Sequence, residues 1–306
     1  MSPLLFSMEL FKHQKDIIDA DPKKTGLFLG TGSGKTRIAL LLARGNVLVI
    51  APKTQVEDEN WQRETQKLAE QYWITNGHWD LLKCPINHVQ VISKETFRRD
   101  WDSLPKFDTV IVDEAHTVLG VTANTRWRNK QEIPKASQLF EALDSYLQKY
   151  PPERLYLCTA TIMRSPVTVW AAGKILGKRG GDLQDYYQFR HEYYTHLPIP
   201  GREIWVPKTD SATKDRLAAL VRAYGFVGRL EDFFDVPDQT YRTESIELTA
   251  KQKSRIKELA LEYPEPIVRV GKVNQVENGV LAGDEFSKPE YFENGKLERI
   301  LELAIE

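Results

Sequence analysis

Five short, largely apolar runs are spaced along the first half of the chain: Leu27-Phe28-Leu29, Val47 to Ile50, Val89 to Ile92, Thr109 to Val112 and Leu155 to Cys158. Near-continuous apolar runs of this length predict strands buried on both faces. Between them lie segments with apolar residues three and four apart, which predict helices. Met8 to Ala20 is one, ended by the turn signal Asp21-Pro22, and Arg37 to Ala43 and Asp58 to Trp73 are two more. Strands alternating with helices predict an α/β fold with a parallel sheet covered by helices. After Thr161 the alternation is lost. Residues 166–235 are rich in helix formers and aromatics and predict a mostly helical insertion. Ser245 to Leu248 predicts a short strand, followed by an N-cap at Thr249 and a helix to Leu261 stopped by Pro264 and Pro266. Residues 271–295 predict a loop-rich stretch and Lys296 to Glu306 a final helix. The resulting division is 1–165, 166–245 and 246–306.

Between the first strand and the next helix stands Gly30-Thr31-Gly32-Ser33-Gly34-Lys35-Thr36. A Gly-rich turn at a helix N-terminus points backbone N–H groups at an anion. In such a loop Lys35 reaches the β and γ phosphates of ATP, and the Thr36 hydroxyl holds Mg²⁺. The fourth strand runs directly into Asp113-Glu114-Ala115-His116. In an open parallel sheet, ligands sit at the C-terminal ends of the strands. Two such motifs, each at a strand end, predict a nucleotide triphosphatase. Asp113 is then the second Mg²⁺ ligand, and Glu114 the group that orients and deprotonates water.

Composition narrows the class little: 41% of residues are hydrophobic and 28% charged. Net charge is −1, but its distribution is polar. Glu258 to Glu306 holds 11 acidic and 5 basic residues, a net of −6, which leaves +5 for the first 257. Nucleic-acid contacts would come from local basic patches there. No apolar run approaches the roughly 20 residues of a membrane span. Cys84 and Cys158 are the only cysteines, which suits a reduced, cytoplasmic protein, or a nuclear one in a eukaryote. His191 and His196 are five apart, where a zinc-protease helix needs four; His78, Cys84 and His88 make only an incomplete zinc set.

The motif order resembles superfamily 2 helicases, and within them the Swi/Snf-type DNA translocases and their phage relatives. Phe11-Lys12-His13-Gln14 resembles the adenine-reading segment, with Gln14 as reader. Asn46 to Lys53 and Asn60-Trp61-Gln62-Arg63-Glu64 resemble motif Ia and its following helix. Gln90 to Glu95 is similar to the next nucleic-acid-facing strand end, and Asp113 to His116 to the DEAH box. Thr159-Ala160-Thr161 is similar to motif III, which couples nucleotide state to nucleic acid through His116, Thr159 and Thr161. Phe189-Arg190, Tyr193-Tyr194 and Arg229 resemble the helical protrusion of Swi/Snf-type enzymes. Leu29 departs from the usual Gly or Ala at the first loop position.

The resemblance implies a RecA-like P-loop NTPase lobe that uses ATP and Mg²⁺ and binds DNA, duplex by preference, as a monomer. Lys296-Leu297-Glu298 resembles the entry to a second RecA-like lobe, so the sequence is expected to be the N-terminal part of a longer protein or else a natural half-motor. An arginine finger from that second lobe would be missing here, and the lobe alone is expected to turn over poorly. Lys53, Lys94, Arg126, Arg128 and Lys130 are the phosphate-contact candidates, the last three in a basic cluster around Trp127. Three other readings stand beside the DNA motor. They are a nucleotide-dependent binding module without motor activity, an RNA-directed helicase, and a small-molecule kinase, which leaves Asp113–His116 and Thr159–Thr161 unexplained.

Overall fold

The computed structural model describes residues 10–76, 86–128, 131–179, 183–199, 202–235, 245–263, 266–282 and 288–305. They form two units, Met1–Val236 and Pro237–Glu306. In the first, strands β1 (Lys24–Leu29), β2 (Gly45–Ala51), β3 (Ile86–Ser93) and β4 (Thr109–Val112) are connected by helices α1 (Lys12–Asp19), α2 (Lys35–Leu42), α3 (Lys53–Glu57), α4 (Asn60–Asn76) and α5 (Lys94–Asp100) in chain order. A hairpin, β5 (Val121–Arg128) with β6 (Gln131–Ala136), then leads to α6 (Gln138–Lys149) and β7 (Arg154–Cys158). Next come α7 (Pro166–Ile175), α8 (Leu183–Tyr193), a second hairpin of β8 (Tyr194–Ile199) and β9 (Arg202–Pro207), α9 (Ser211–Tyr224) and β10 (Gly225–Gly228).

Six strands make one all-parallel sheet in the order β10-β1-β7-β4-β2-β3. The five predicted strands are all in it. Successive side chains of a strand point to opposite faces, and each face has its own core. Phe28, Leu48, Ile50, Val110, Val112, Leu155 and Leu157 pack with α6 and α7. Leu27, Leu29, Val47, Val49, Ile111, Tyr156 and Cys158 pack with α1, α2 and Trp61. Covered on both sides, the sheet leaves its strand ends as the place for chemistry.

The sixth strand, β10, is absent from the sequence reading. Its Gly-Phe-Val-Gly sequence has no run and no alternation. Gly225 lies opposite Gly26 of β1, and a Cβ there would overlap the Gly26 carbonyl oxygen, so only glycine lets the two strands meet. The described part of residues 166–235, expected as a mostly helical insertion, holds α7, α8 and α9 together with a hairpin, and returns β10 to the main sheet. Tyr186, Phe189 and Tyr193, on one face of α8, are at most 2% exposed and belong to the lobe's own core.

That helix also anchors both hairpins. Tyr186 Oη donates to the Thr122 carbonyl at 2.7 Å and Arg190 Nη1 to the Ala123 carbonyl at 3.2 Å, both on β5. The Arg190 guanidinium lies 4.0 Å from the Trp205 ring of β9 and 4.9 Å from Tyr187. Desolvated cation–π contacts contribute about 2 kcal/mol, and a lost hydrogen bond adds roughly 1 kcal/mol. Arg190→Ala is expected to lower stability by about 2–3 kcal/mol, measured by urea denaturation. Arg190→Lys recovers little of it, because an ammonium cannot stack its plane on the indole.

In the second unit, α10 (Ala250–Glu262), α11 (Pro266–Glu277) and α12 (Gly295–Ile305) accompany a two-residue pairing of β11 (Val280–Leu281) with β12 (Glu290–Tyr291). Thr249 caps α10 as predicted, accepting from the Gln252 N–H at 3.3 Å. The predicted strand 245–248 is not formed. Part of the predicted loop is helix α11, which Pro266 begins. Proline fits the first helical position, where its missing N–H would have had no helical partner.

Candidate nucleotide site

Strand β7 lies between β1 and β4, so three strand ends converge: the Gly30–Thr36 loop, Asp113–His116 and Thr159–Thr161. The wholly buried Cys158 thiol marks the meeting point. Burial pushes its pKa up, and it also feels the charges of Asp113, Lys35 and Glu114.

The loop is a preformed cradle. Gly32 and Gly34 have φ of 82° and 83°, in the left-handed region that glycine tolerates. Ser33 Oγ donates to the Gly30 carbonyl at 2.8 Å, and Lys35 Nζ donates to the carbonyls of Leu29 and Gly30 at 3.0 and 3.1 Å. Residues of the returning segment brace the outer side: Gly30 N–H donates to the Gly228 carbonyl at 2.9 Å, and a Cβ at Gly30 would stand 2.9 Å from Leu230 N.

Gln14 is buried, at 3% exposure, and its amide is engaged in that cradle. Nε2 donates to the Ser33 carbonyl at 3.2 Å, while Oε1 accepts from the Phe11 N–H at 3.2 Å. His13 Nε2 lies 3.0 Å from the same Ser33 oxygen, and the ring stacks on Phe233 at 4.0 Å. His13 entered the sequence reading only within the Phe11–Gln14 segment, with no role of its own, and Gly228, Leu230 and Phe233 did not stand out. A Cβ at Gly34 would overlap Gln14 Nε2 as well as demand left-handed backbone. Gly34→Ala is therefore expected to weaken nucleotide affinity at least about tenfold, since the strain alone is roughly 1–2 kcal/mol. Titration with a fluorescent nucleotide measures it.

Asp113 is 9% exposed, and burial pushes its carboxyl pKa up, opposed by the Trp61 hydrogen bond. Trp61 Nε1 donates to Oδ2 at 3.1 Å and the Glu114 N–H to Oδ1 at 2.9 Å. Trp61, 1% exposed, entered the sequence reading within the helix that follows the motif Ia resemblance, but not as a partner of Asp113. Glu114 adopts φ 42° and ψ 53°, left-handed for a residue with a Cβ. Its carboxylate is 41% exposed and lies 3.3 Å from His116 Nδ1. Burial lowers the His116 pKa, so the imidazole is neutral at neutral pH. The same Nδ1 is 2.8 Å from Thr159 Oγ1, which also accepts from the Thr161 N–H at 3.1 Å. Glu114, His116 and Thr159 thus lie in a row from the carboxylate to the end of β7, with carboxylate and hydroxyl both beside the same ring nitrogen.

Among the described residues there is no cluster of three or more His, Cys, Asp or Glu side chains fit to hold a metal. Mg²⁺ does not need such a cluster, because it typically takes one or two protein oxygens and completes its shell with phosphate and water.

The phosphate-contact candidates fare differently. Lys53 is on the surface, 70% exposed and 3.5 Å from Glu57. Lys94 is instead buried, for its ammonium turns inward onto the Glu114–Thr117 turn. Arg126 is on the β5–β6 hairpin, paired with Glu141 rather than projecting freely. Arg128 ends β5, and Lys130 lies outside the described residues.

Residues 7–150 match the family model described as type III restriction enzyme, res subunit. No curated protein matches the sequence with significance. Among solved structures, the chain is similar to the Sulfolobus solfataricus SWI2/SNF2 ATPase core in complex with dsDNA, at 16% identity and a TM-score of 0.48, covering 100% of this chain and 66% of that one. It is similar to the Pyrococcus furiosus Hef helicase domain at 18% identity and TM-score 0.38, covering 56% and 36%. It is similar to Mycobacterium smegmatis helicase Lhr bound to ssDNA and AMP-PNP at 20% identity and TM-score 0.34, covering 54% and 24%. The chain thus spans less than two thirds of each of these proteins. Strand order and the two motifs at neighbouring strand ends define the class of the first unit: an α/β lobe of the P-loop type, with a parallel sheet covered by helices.

Proposed function

We propose that this chain is the N-terminal motor lobe of an ATP-dependent DNA translocase or helicase, of the Swi/Snf-type DEAH-box branch. The observation that carries it is the convergence of Lys35, Asp113, Glu114 and Thr159 on neighbouring strand ends, with His116 joining the last two. In this reading the Gly30–Gly34 amides and Lys35 bind the phosphates of ATP, and Thr36 and Asp113 hold Mg²⁺. Bound there, the ion neutralises charge building on the transferred phosphoryl group. Glu114 accepts the proton of the attacking water. His116 and Thr159 pass changes at the carboxylate to Thr161 and the nucleic-acid side. Gln14 braces the loop through Ser33, leaving its second amide hydrogen for the adenine base.

The resemblance in motif order supports DNA as the track and duplex as its preferred form. Exposed Lys53, at the start of α3, is the phosphate contact that stays open to solvent. A second RecA-like lobe in the same full-length protein would complete the motor. The test is the ATPase rate of the full-length protein with duplex DNA, single-stranded DNA or RNA at equal nucleotide concentration. Duplex DNA should activate most, with an effect that falls steeply with salt. Strongest activation by RNA would make it an RNA helicase, and hydrolysis unmoved by any nucleic acid would reject the motor reading.

A further inference from the structure

Lys94 begins α5 directly after β3, yet it is only 7% exposed. Its Nζ donates to the Glu114 carbonyl at 3.1 Å and to Thr117 Oγ1 at 2.6 Å. Thr117 Oγ1 donates to the same carbonyl at 2.9 Å, and the Thr117 N–H does so at 3.1 Å. Three donors therefore converge on one carbonyl oxygen. The residue that owns it is the one in the first unit's site held in left-handed backbone without being glycine. That conformation costs roughly 1–2 kcal/mol for a residue with a Cβ, and persists where its surroundings over-determine it. The Glu114 N–H is fixed too, on Asp113 Oδ1 at 2.9 Å.

An ammonium is a costly choice for this role. Burial drives the Lys94 pKa down to about 8, against the attraction of Asp113, Glu114 and Glu95. A helix start at a strand end needs no buried cation, so the clamp on the Glu114 peptide accounts for it better than packing does. We infer, on the ATPase reading above, that Lys94 is a positioning residue: it locks the Glu114 peptide in its left-handed turn and so aims the Glu114 carboxylate at the attacking water. It touches neither nucleotide nor nucleic acid itself, and Thr117 is its partner in the clamp.

The test compares Lys94→Met, which keeps the aliphatic stem and removes the donors, with wild type and Lys35→Ala, all in the full-length protein. Thermal midpoint, fluorescent-nucleotide affinity, and kcat and KM for ATP are measured on each. Misaimed catalytic groups cost on the order of 10–100-fold in rate. The expected result is a fall of that size in kcat, with KM, affinity and thermal midpoint close to wild type. Lys94→Ala should recover part of its kcat with added methylamine or ethylamine, a rescue that a packing defect would not show. Thr117→Val should lower kcat less, in the same direction, and provides the test if neither Lys94 variant folds. Wild-type kcat in Lys94→Met overturns the inference, as does a joint fall of kcat, affinity and midpoint without amine rescue. Absence of Lys35-dependent hydrolysis in the wild type overturns the ATPase reading itself, and the inference with it.

Discussion

Glu114→Gln is expected to reduce ATP hydrolysis by about 10²–10⁴-fold, the usual contribution of a positioned general base. Nucleotide affinity should change little. The substitution keeps the length and hydrogen-bonding capacity of the side chain and removes the proton acceptor. The Glu114 peptide is held by Lys94, Thr117 and Asp113 through backbone atoms, so the left-handed turn should survive. His116 Nδ1, 3.3 Å from the carboxylate, can still meet an amide oxygen. Single-turnover hydrolysis and nucleotide titration, run on the same preparation, separate chemistry from binding. Equal loss in both would make Glu114 a binding or structural residue.

Lys35→Ala should have a larger effect on binding. Lys35 Nζ spans the loop to the carbonyls of Leu29 and Gly30, directly over the cradle of amides. On the proposed ATPase reading, removing it takes away a cation that would meet the β and γ phosphates. Charge-assisted hydrogen bonds contribute about 1.5–3 kcal/mol, so affinity for ATP should fall roughly 10–100-fold. Turnover should fall further, because the charge on the phosphoryl group grows in the transition state. The folded lobe should be unaffected, since the glycines at 32 and 34 and the Ser33 bridge set the loop without the lysine. Unchanged affinity and turnover would show that the loop binds no triphosphate.

What could be read from the sequence follows from burial. Four of the five predicted strands are largely buried, which leaves a continuous apolar signature, while β3 at the sheet edge is only half-buried; the two motifs sit at strand ends. Tyr186, Phe189 and Tyr193 stand three and four apart, the spacing of one helix face, and that face is buried. β10 left no signature because it is four residues long with glycine at both ends, one of them dictated by close approach to Gly26. Lys94 and Arg126 show a different limit. A sequence gives the sign of a charge but not the direction of its side chain, and here a carbonyl at Glu114 and a carboxylate at Glu141 take them inward or across. Trp61, His13 and Thr117 act through partners 52, 20 and 3 residues away, and only folding brings them together.

The central claim is that ATP turnover at this lobe drives movement along duplex DNA. Triplex displacement by the full-length protein tests it directly: a labelled third strand is bound to duplex DNA, and its release is followed with time. ATP with Mg²⁺ should release the strand in wild type, and neither Lys35→Ala nor Glu114→Gln should do so. ATP hydrolysis stimulated by duplex DNA without any strand release would contradict the account.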